Sequence, residues 1–282
     1  MKSFRKKALA LALALAVSAP SAMACTLWGA SGSPVQGGGT ILVKNRDWRP
    51  QYQEMRYGKG KLYRYYGLYG GDEKKMFLRG GVNEKGLAVF SAAASVIPKK
   101  ERKEMGHAKK SALREILGNC ATVEEALEKA EYFKGPKFLM IADARSMVSM
   151  EIGADGAYQI KRVNNGTLAH TNHYLSPDFG ALNRKVRPTT TKRLSRIEEL
   201  LSKDHAPWTL WDLTAFGEDR SGGPNDSIWR QGGKVETLAT FGVWLHEDAL
   251  PDIYVKVRYN PWDGGHEDVY ELEGKDLFPP EK

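Results

Sequence analysis

"ACTLWGASGSPVQGGGTILVKNRDW", residues 24–48, decides how the rest of this chain is read. Two runs, "CTLWGASG" and "GGTILVKNRDW", flank a Gly/Pro-containing region from Gly32 to Gly39, the pattern of short strands joined by a turn. One of only two cysteines, Cys25, heads the first run. It stands directly after the small-residue sequence Ala22-Met23-Ala24.

Upstream of that cysteine the chain has the form of a leader. Lys2, Arg5, Lys6 and Lys7 make a basic start, Ala8 to Val17 is apolar, Pro20 breaks the run, and Ala22-Met23-Ala24 is an A-x-A cleavage site. An apolar core of about ten residues is half of the roughly twenty that a bilayer span needs. The expectation is a signal peptide over 1–24, cut to leave one catalytic domain over 25–282 in the periplasm or outside the cell; an uncleaved anchor is the alternative. The leader holds four of the 42 Lys and Arg and none of the 34 Asp and Glu, which leaves 38 against 34, or +4. That mild charge argues against a nucleic-acid partner, and no later apolar run is long enough for stable membrane insertion. The length suffices for a sizeable core.

Two cysteines in a chain this long make no disulfide scaffold. Cys120 extends the apolar face set by Leu113, Ile116 and Leu117 and reads as a small buried hydrophobe.

Further along, "QYQEMRYGKGKLYRYYGLYGGDEKK" (51–75) reads as an irregular surface segment, and its tyrosines as a wall over the site. "GLAVFSAAAS" reads as a strand, and "KKERKEMGHAKKSALREIL" as a charged loop entering a helix. Thr122 and Glu125 form a capping box that starts "VEEALEKAEYF". "KFLMIAD", "MVSMEIG" and "AYQIKRV" read as strands. "TTTKRLSRIEELLSK" is an amphipathic helix with Leu194, Ile197, Leu200 and Leu201 on one side, and "PWTLWDLTAFG" a second helix. "KVETLATFGVWLHE" and "PDIYVKVRYNP" read as a hairpin. Strands, then helices, then strands predict an α+β layered fold.

Clipping after Ala24 would give Cys25 both a thiol and a free α-amine. That amine, with an ordinary pKa of about 7.7–8.0, can serve as a general base near neutral pH without a histidine. Together with Cys25, the segments "ACTLWGASGSPVQGGGTILVKNRDW", "GGVNEKGLAVF" and "LAHTNHYLSP" resemble the choloylglycine hydrolase and acyl-CoA:6-aminopenicillanate acyltransferase group of N-terminal-nucleophile (Ntn) hydrolases. Weaker matches in "TTTKRLSRIEELL" and "NDSIWRQGG" extend the resemblance over most of the chain.

The resemblance implies a four-layer αββα sandwich and an enzyme that cleaves linear, non-peptide amide C–N bonds without cofactor or metal. Its partner would be a small-molecule amide such as an N-acyl amide, a penicillin or a bile-acid conjugate; assembly of identical copies is compatible with it. Cys25 would be the nucleophile, Asp47 would orient its amine, and Asn83 and Asn172 would be oxyanion donors. Arg193 matches the family's helix-borne arginine, with Arg230 the second choice. The hydrolase branch has an arginine three positions before the aspartate. Here that position is Lys44, with Arg46 beside Asp47, and a lysine cannot reproduce a guanidinium fork.

Other readings stay open. "KNRDW" is also a strand end with a surface ion pair, "GVNEKGL" an ordinary turn with Asn83 at a left-handed φ, and Arg193 with Arg196 a solvated helix face. His170 and His173 invite a metal, but on one strand they would point to opposite faces. Among functions, an acyltransferase or an N-terminal-cysteine dipeptidase stands beside the hydrolase. From another class comes a lipid-anchored binding or structural protein modified at Cys25, although Ala22 stands where a lipobox has a larger aliphatic residue.

Overall fold

The computed structural model describes residues 24–72, 74–202, 206–258 and 266–280. The leader read over 1–24 therefore lies, up to residue 23, outside the described residues.

β1 (Ala24–Ser31) and β2 (Thr40–Trp48) form the antiparallel hairpin that the opening stretch predicts. Its turn takes positive φ at Gly32, Gly37, Gly38 and Gly39. At Gly39 a Cβ would also meet the Leu245 carbonyl oxygen at 2.3 Å, so glycine is required twice over. Next come β3 (Tyr52–Lys59), β4 (Arg64–Asp72), β5 (Lys75–Asn83) and β6 (Ala88–Ala93), then α1 (Lys99–Glu104), α2 (Ala112–Asn119) and α3 (Val123–Leu127). β7 (Lys137–Ala142), β8 (Met147–Ile152), β9 (Tyr158–Val163) and β10 (Gly166–His170) precede α4 (Pro188–Ser202), α5 (Leu210–Ala215) and α6 (Gly223–Asp226). β11 (Glu236–Leu245), β12 (Asp252–Arg258), β13 (Glu267–Leu272) and α7 (Gly274–Leu277) follow.

The strands form two antiparallel sheets. The first has the order β10-β1-β2-β11-β12-β13, and the second is a meander, β3 through β9. Because each strand alternates its side chains between faces, β1 and β2 serve two cores. Cys25, Leu27 and Leu42 point between the sheets, with Phe90, Phe138, Met140 and Phe241. Trp28, Ile41 and Val43 point outward under Leu194, Ile197, Leu201, Leu210 and Leu213 of α4 and α5. On the far side, Leu113, Ile116 and Leu117 of α2 cover Val89, Leu139 and Val148. The layers are thus α, β, β, α. β1 is covered on both faces and buried along its whole length, which is why it shows an apolar run rather than a clean alternation. Truncating one of its core side chains, such as Leu27→Ala, belongs to the class of change that costs about 2–5 kcal/mol.

Four local expectations need correction. Residues 51–75 are not irregular: they contain β3 and β4, paired from Tyr52↔Gly71 to Lys59↔Arg64. The tyrosines there do not form one wall. Tyr66 packs between the sheets while Tyr65 and Tyr69 pack under α2, as a period of two requires. The charged segment before α2 contains the helical turn α1. The helix after Thr122 is shorter than expected; Thr122 accepts from Glu125 N, but the Glu125 carboxylate accepts from Ala121 N instead of closing the box.

Candidate active site

β10 sets the site by where it stops. It pairs with β1 from Gly166↔Ser31 to His170↔Leu27 and goes no further. The backbone nitrogen of Cys25 lies beyond that ladder, and a side chain takes the strand's place: Cys25 N donates to Asn172 Oδ1 at 2.9 Å. Asn172 is held in turn. Its backbone N donates to Thr190 Oγ1 at 3.0 Å and its Nδ2 to the Ala93 carbonyl at 2.9 Å. An amide nitrogen carries two hydrogens, so one donor of Asn172 remains for a further acceptor.

Arg193 enters from α4, fully buried, in the stripe that also carries Leu194, Ile197 and Leu201. Its Nη1 donates to the Cys25 carbonyl at 2.8 Å and to Thr26 Oγ1 at 2.7 Å, and its Nη2 to Asn172 Oδ1 at 3.0 Å. One guanidinium therefore ties together residue 25, its neighbour and the asparagine. Arg196, one turn on, pairs with Asp219 and Glu199 instead. The solvated-face reading holds for that residue alone.

Asp47 lies directly across the ladder from Ala24, on the helix side of the sheet. It is fully buried, and its Oδ1 accepts from Thr237 Oγ1 at 2.9 Å, while its Oδ2 has no partner. Burial pushes its carboxyl above the usual range, against the pull of Arg193, Arg230, the Thr237 hydroxyl and Lys44. Arg230 is anchored beside it through Thr237, whose hydroxyl accepts from Arg230 N at 2.8 Å, and its Nε and Nη1 are unpartnered.

The opposite face of the hairpin holds the other cations. Arg46 is the ladder partner of Cys25, and Lys44 that of Leu27, so all four side chains project between the sheets. Lys44 crosses to the second sheet, donating to the carbonyls of Arg79 (3.1 Å) and Ser91. Burial lowers its pKa to about 8, with Arg46 and Arg79 adding to the shift and the Cys25 sulfur and Asp47 opposing it. Arg46 Nε donates to the buried Gln53 Oε1 at 2.6 Å; burial lowers its pKa to about 9 and that of Arg193 to about 10, so both guanidinium groups stay charged at neutral pH.

Asn83 is not at this site, which corrects its expected role as an oxyanion donor. It points to the outer face of the second sheet, where Nδ2 donates to the Leu117 and Cys120 carbonyls at 2.9 and 2.7 Å. Its Oδ1 accepts from Lys85 N and Leu87 N, both at 3.0 Å. Every group of its amide is occupied in closing a turn onto α2. The φ of Asn83 is not left-handed either; the positive φ of that turn belongs to Gly86.

The histidines separate as well. β10 ends at His170, whose Nε2 meets Glu151 Oε1 at 2.9 Å, whereas His173 lies past the strand against Thr190 Oγ1 at 3.1 Å. Burial, with His170 and Arg193 adding to it, lowers the His173 pKa to about 4. A cavity of about 470 Å³ lined by His170, Glu151, Gln159 and Leu175 sits at the sandwich edge and does not include Cys25. A tighter cleft reaches Ala24, Asn172, Thr190 and Arg193.

Sequence reasoning missed Thr26, Thr190, Thr237, Gln53 and Arg79. Thr26 follows Cys25 and Thr190 stands three residues before Arg193, Thr237 lies seven residues past Arg230, and none carries a motif of its own; Gln53 and Arg79 lie on strands of the other sheet.

The comparisons with known proteins bear on the family and the fold. Structures of similar fold include a mutant conjugated bile acid hydrolase from Clostridium perfringens, at 13% identity, TM-score 0.52, over 88% of this chain and 97% of that one. A Caenorhabditis elegans orthologue of N-acylethanolamine-hydrolyzing acid amidase aligns at 15% identity, TM-score 0.53, over 78% of this chain and 92% of that one. No curated protein sequence matches. Residues 35–254 match the family described as AAT, acyl-coenzyme A:6-aminopenicillanic acid acyl-transferase. With more than half of its length inside that match and the αββα layers of an Ntn hydrolase, the chain belongs to the acyl-coenzyme A:6-aminopenicillanic acid acyl-transferase family of enzymes.

Proposed function

We propose that the chain is exported and clipped after Ala24, and that the single domain from Cys25 onward is an amidohydrolase acting on linear, non-peptide amides through an acyl-enzyme. The observation that carries this reading is the treatment of one backbone nitrogen. Cys25 N is held by Asn172 Oδ1, and across the ladder a buried carboxylate oxygen of Asp47 waits without a partner. A free amine at residue 25 has more hydrogens than a peptide N–H and can serve both acceptors.

In the proposed cycle the Cys25 amine takes the thiol proton as sulfur attacks the amide carbonyl. The spare Asn172 Nδ2 hydrogen stabilises the oxyanion, the amine passes its proton to the leaving nitrogen, and the C–N bond breaks. Water then hydrolyses the thioester with the same amine as base. Arg193 holds the Cys25 carbonyl and Asn172 in register, and Asp47 holds the amine. No step calls on a metal or cofactor. Substrates of the N-acyl amino acid, penicillin or bile-conjugate type fit this chemistry, and an amine in place of water turns the same site into an acyltransferase.

The test is the start of the exported protein. Intact mass beginning at unmodified Cys25 supports the proposal; a diacylglycerol adduct there would instead make it a lipid-anchored protein. A variant that keeps Ala24, whose residue 25 nitrogen stays an amide, should be folded and inactive, and so should Cys25→Ser. Full activity of the extended variant on a panel of N-acyl amino acids, penicillin V and bile-acid conjugates would refute the amine as base.

A further inference from the structure

The Cys25 side chain faces more positive charge than one thiolate or one tetrahedral intermediate would balance. Lys44, Arg46 and Arg79 converge there from both sheets, and Lys44 and Arg46 are buried to within a few per cent. Every oxygen they touch is neutral: the Arg79 and Ser91 carbonyls for Lys44, Gln53 Oε1 for Arg46, and the Gly70 carbonyl for Arg79, at 3.1 Å from Nε and 2.8 Å from Nη2. Among the described residues none of the three forms an ion pair. Arg46 Nη2 has no hydrogen-bond partner among the described residues. It packs close on Gly70, where a Cβ would lie only 2.6 Å away.

An unpaired buried cation costs several kcal/mol in lost hydration, and three held together repel one another. A tetrahedral intermediate offers one negative charge to relieve this. Asp47, the nearby carboxylate, points to the other face of the sheet. The direction is also informative. The leaving nitrogen must lie by the Cys25 amine, next to Asn172, so the acyl half extends the other way, along the face shared by Cys25, Arg46 and Lys44.

We propose that Arg46, backed by Arg79 and Lys44, is a specificity subsite for a carboxylate carried on the acyl half of the substrate, a short chain away from the scissile carbonyl. The subsite rests on the amidohydrolase reading above and deepens it: the preferred class is the mono-amide of a short dicarboxylic acid. Sulfur displaces the amine from the amide carbonyl, water displaces sulfur, and the products are the amine and the free dicarboxylate.

The test compares two amides of one amine, N-succinyl and N-(4-methylpentanoyl), in which a carboxylate and an isopropyl group are matched in shape. Wild type should favour the succinyl amide in kcat/KM by about 30-fold or more. Arg46→Met should bring that ratio to within about threefold, and Arg46→Lys, which keeps charge but not the fork, should fall between. Arg79→Met should narrow it too, and decides the matter if Arg46→Met does not fold. A second readout needs no turnover. Succinate should slow alkylation of Cys25 by iodoacetamide in wild type and not in Arg46→Met. A wild-type ratio near one, or a ratio untouched by both Met variants, overturns the subsite. If neither amide is turned over, protection by succinate upholds the subsite while the hydrolase reading falls, and absence of protection removes the subsite.

Discussion

The two faces of the β1–β2 hairpin treat charge in opposite ways. On the helix side, Asp47 shares its surroundings with Arg193 and Arg230, and Arg193 donates three hydrogen bonds, to Cys25, Thr26 and Asn172. Between the sheets, Lys44, Arg46 and Arg79 face the sulfur with only neutral oxygens for company. The first arrangement sets opposite charges near one another and positions the backbone of residue 25. The second leaves positive charge unanswered where a substrate would lie. Neighbouring residues on one strand, Arg46 and Asp47, thus belong to different environments because the strand's period of two sends them apart.

Four measurements would break or sharpen that contrast. The largest effect is expected at Arg193, where Arg193→Met removes the partner of the Cys25 carbonyl and leaves Asp47 with one fewer cation. Arg193 donates to three buried acceptors, and hydrogen bonds to a charged group contribute about 1.5–3 kcal/mol each, so the loss should be about 4 kcal/mol or more, read from urea unfolding. Little change would mean that Arg193 does not hold the helix side together. Asn172→Ala should lower kcat by about 10²–10³, or roughly 2.7–4 kcal/mol.

Asn83→Ala makes the control. It should cost about 1–3 kcal/mol of stability for the carbonyls left bare, yet keep kcat within about threefold. A hundredfold loss in kcat would return Asn83 to the catalytic site.

A last effect concerns pH. Burial lowers the Lys44 pKa from 10.5 to about 8. Between those values the unfolded chain holds a proton that the folded chain has released, so stability rises with pH through that window. Lys44→Met should flatten the rise in urea midpoints measured from about pH 7 to about pH 10.5.

How far these features could be read in advance differed by element. The opening hairpin was legible because its glycines mark the turn, and α4 because its leucines and Ile197 recur at helical spacing. β3 and β4 were not, because their glycines suggested a loop. In the structure Gly70 and Gly71 give clearance, not a turn: a Cβ would strike Arg46 Nη2 at one and the Lys75 carbonyl oxygen, 2.1 Å away, at the other. Asn83 misled for a similar reason. A short asparagine motif looks alike whether its amide meets a substrate or its own turn.

Sequence alone determined that a cysteine follows a leader-like segment, that Leu194, Ile197, Leu200 and Leu201 form one side of a helix, and that the chain would layer strands against helices. These are local patterns, written within a few residues of one another. Only the tertiary structure decided that Asn172, 147 positions away, and not Asn83 meets Cys25. It also decided that Arg46 and Arg79 share a space. The reason is topological: β10 returns to the edge of the first sheet beside β1 and ends two residues short of Cys25, and no local propensity encodes where a distant strand stops.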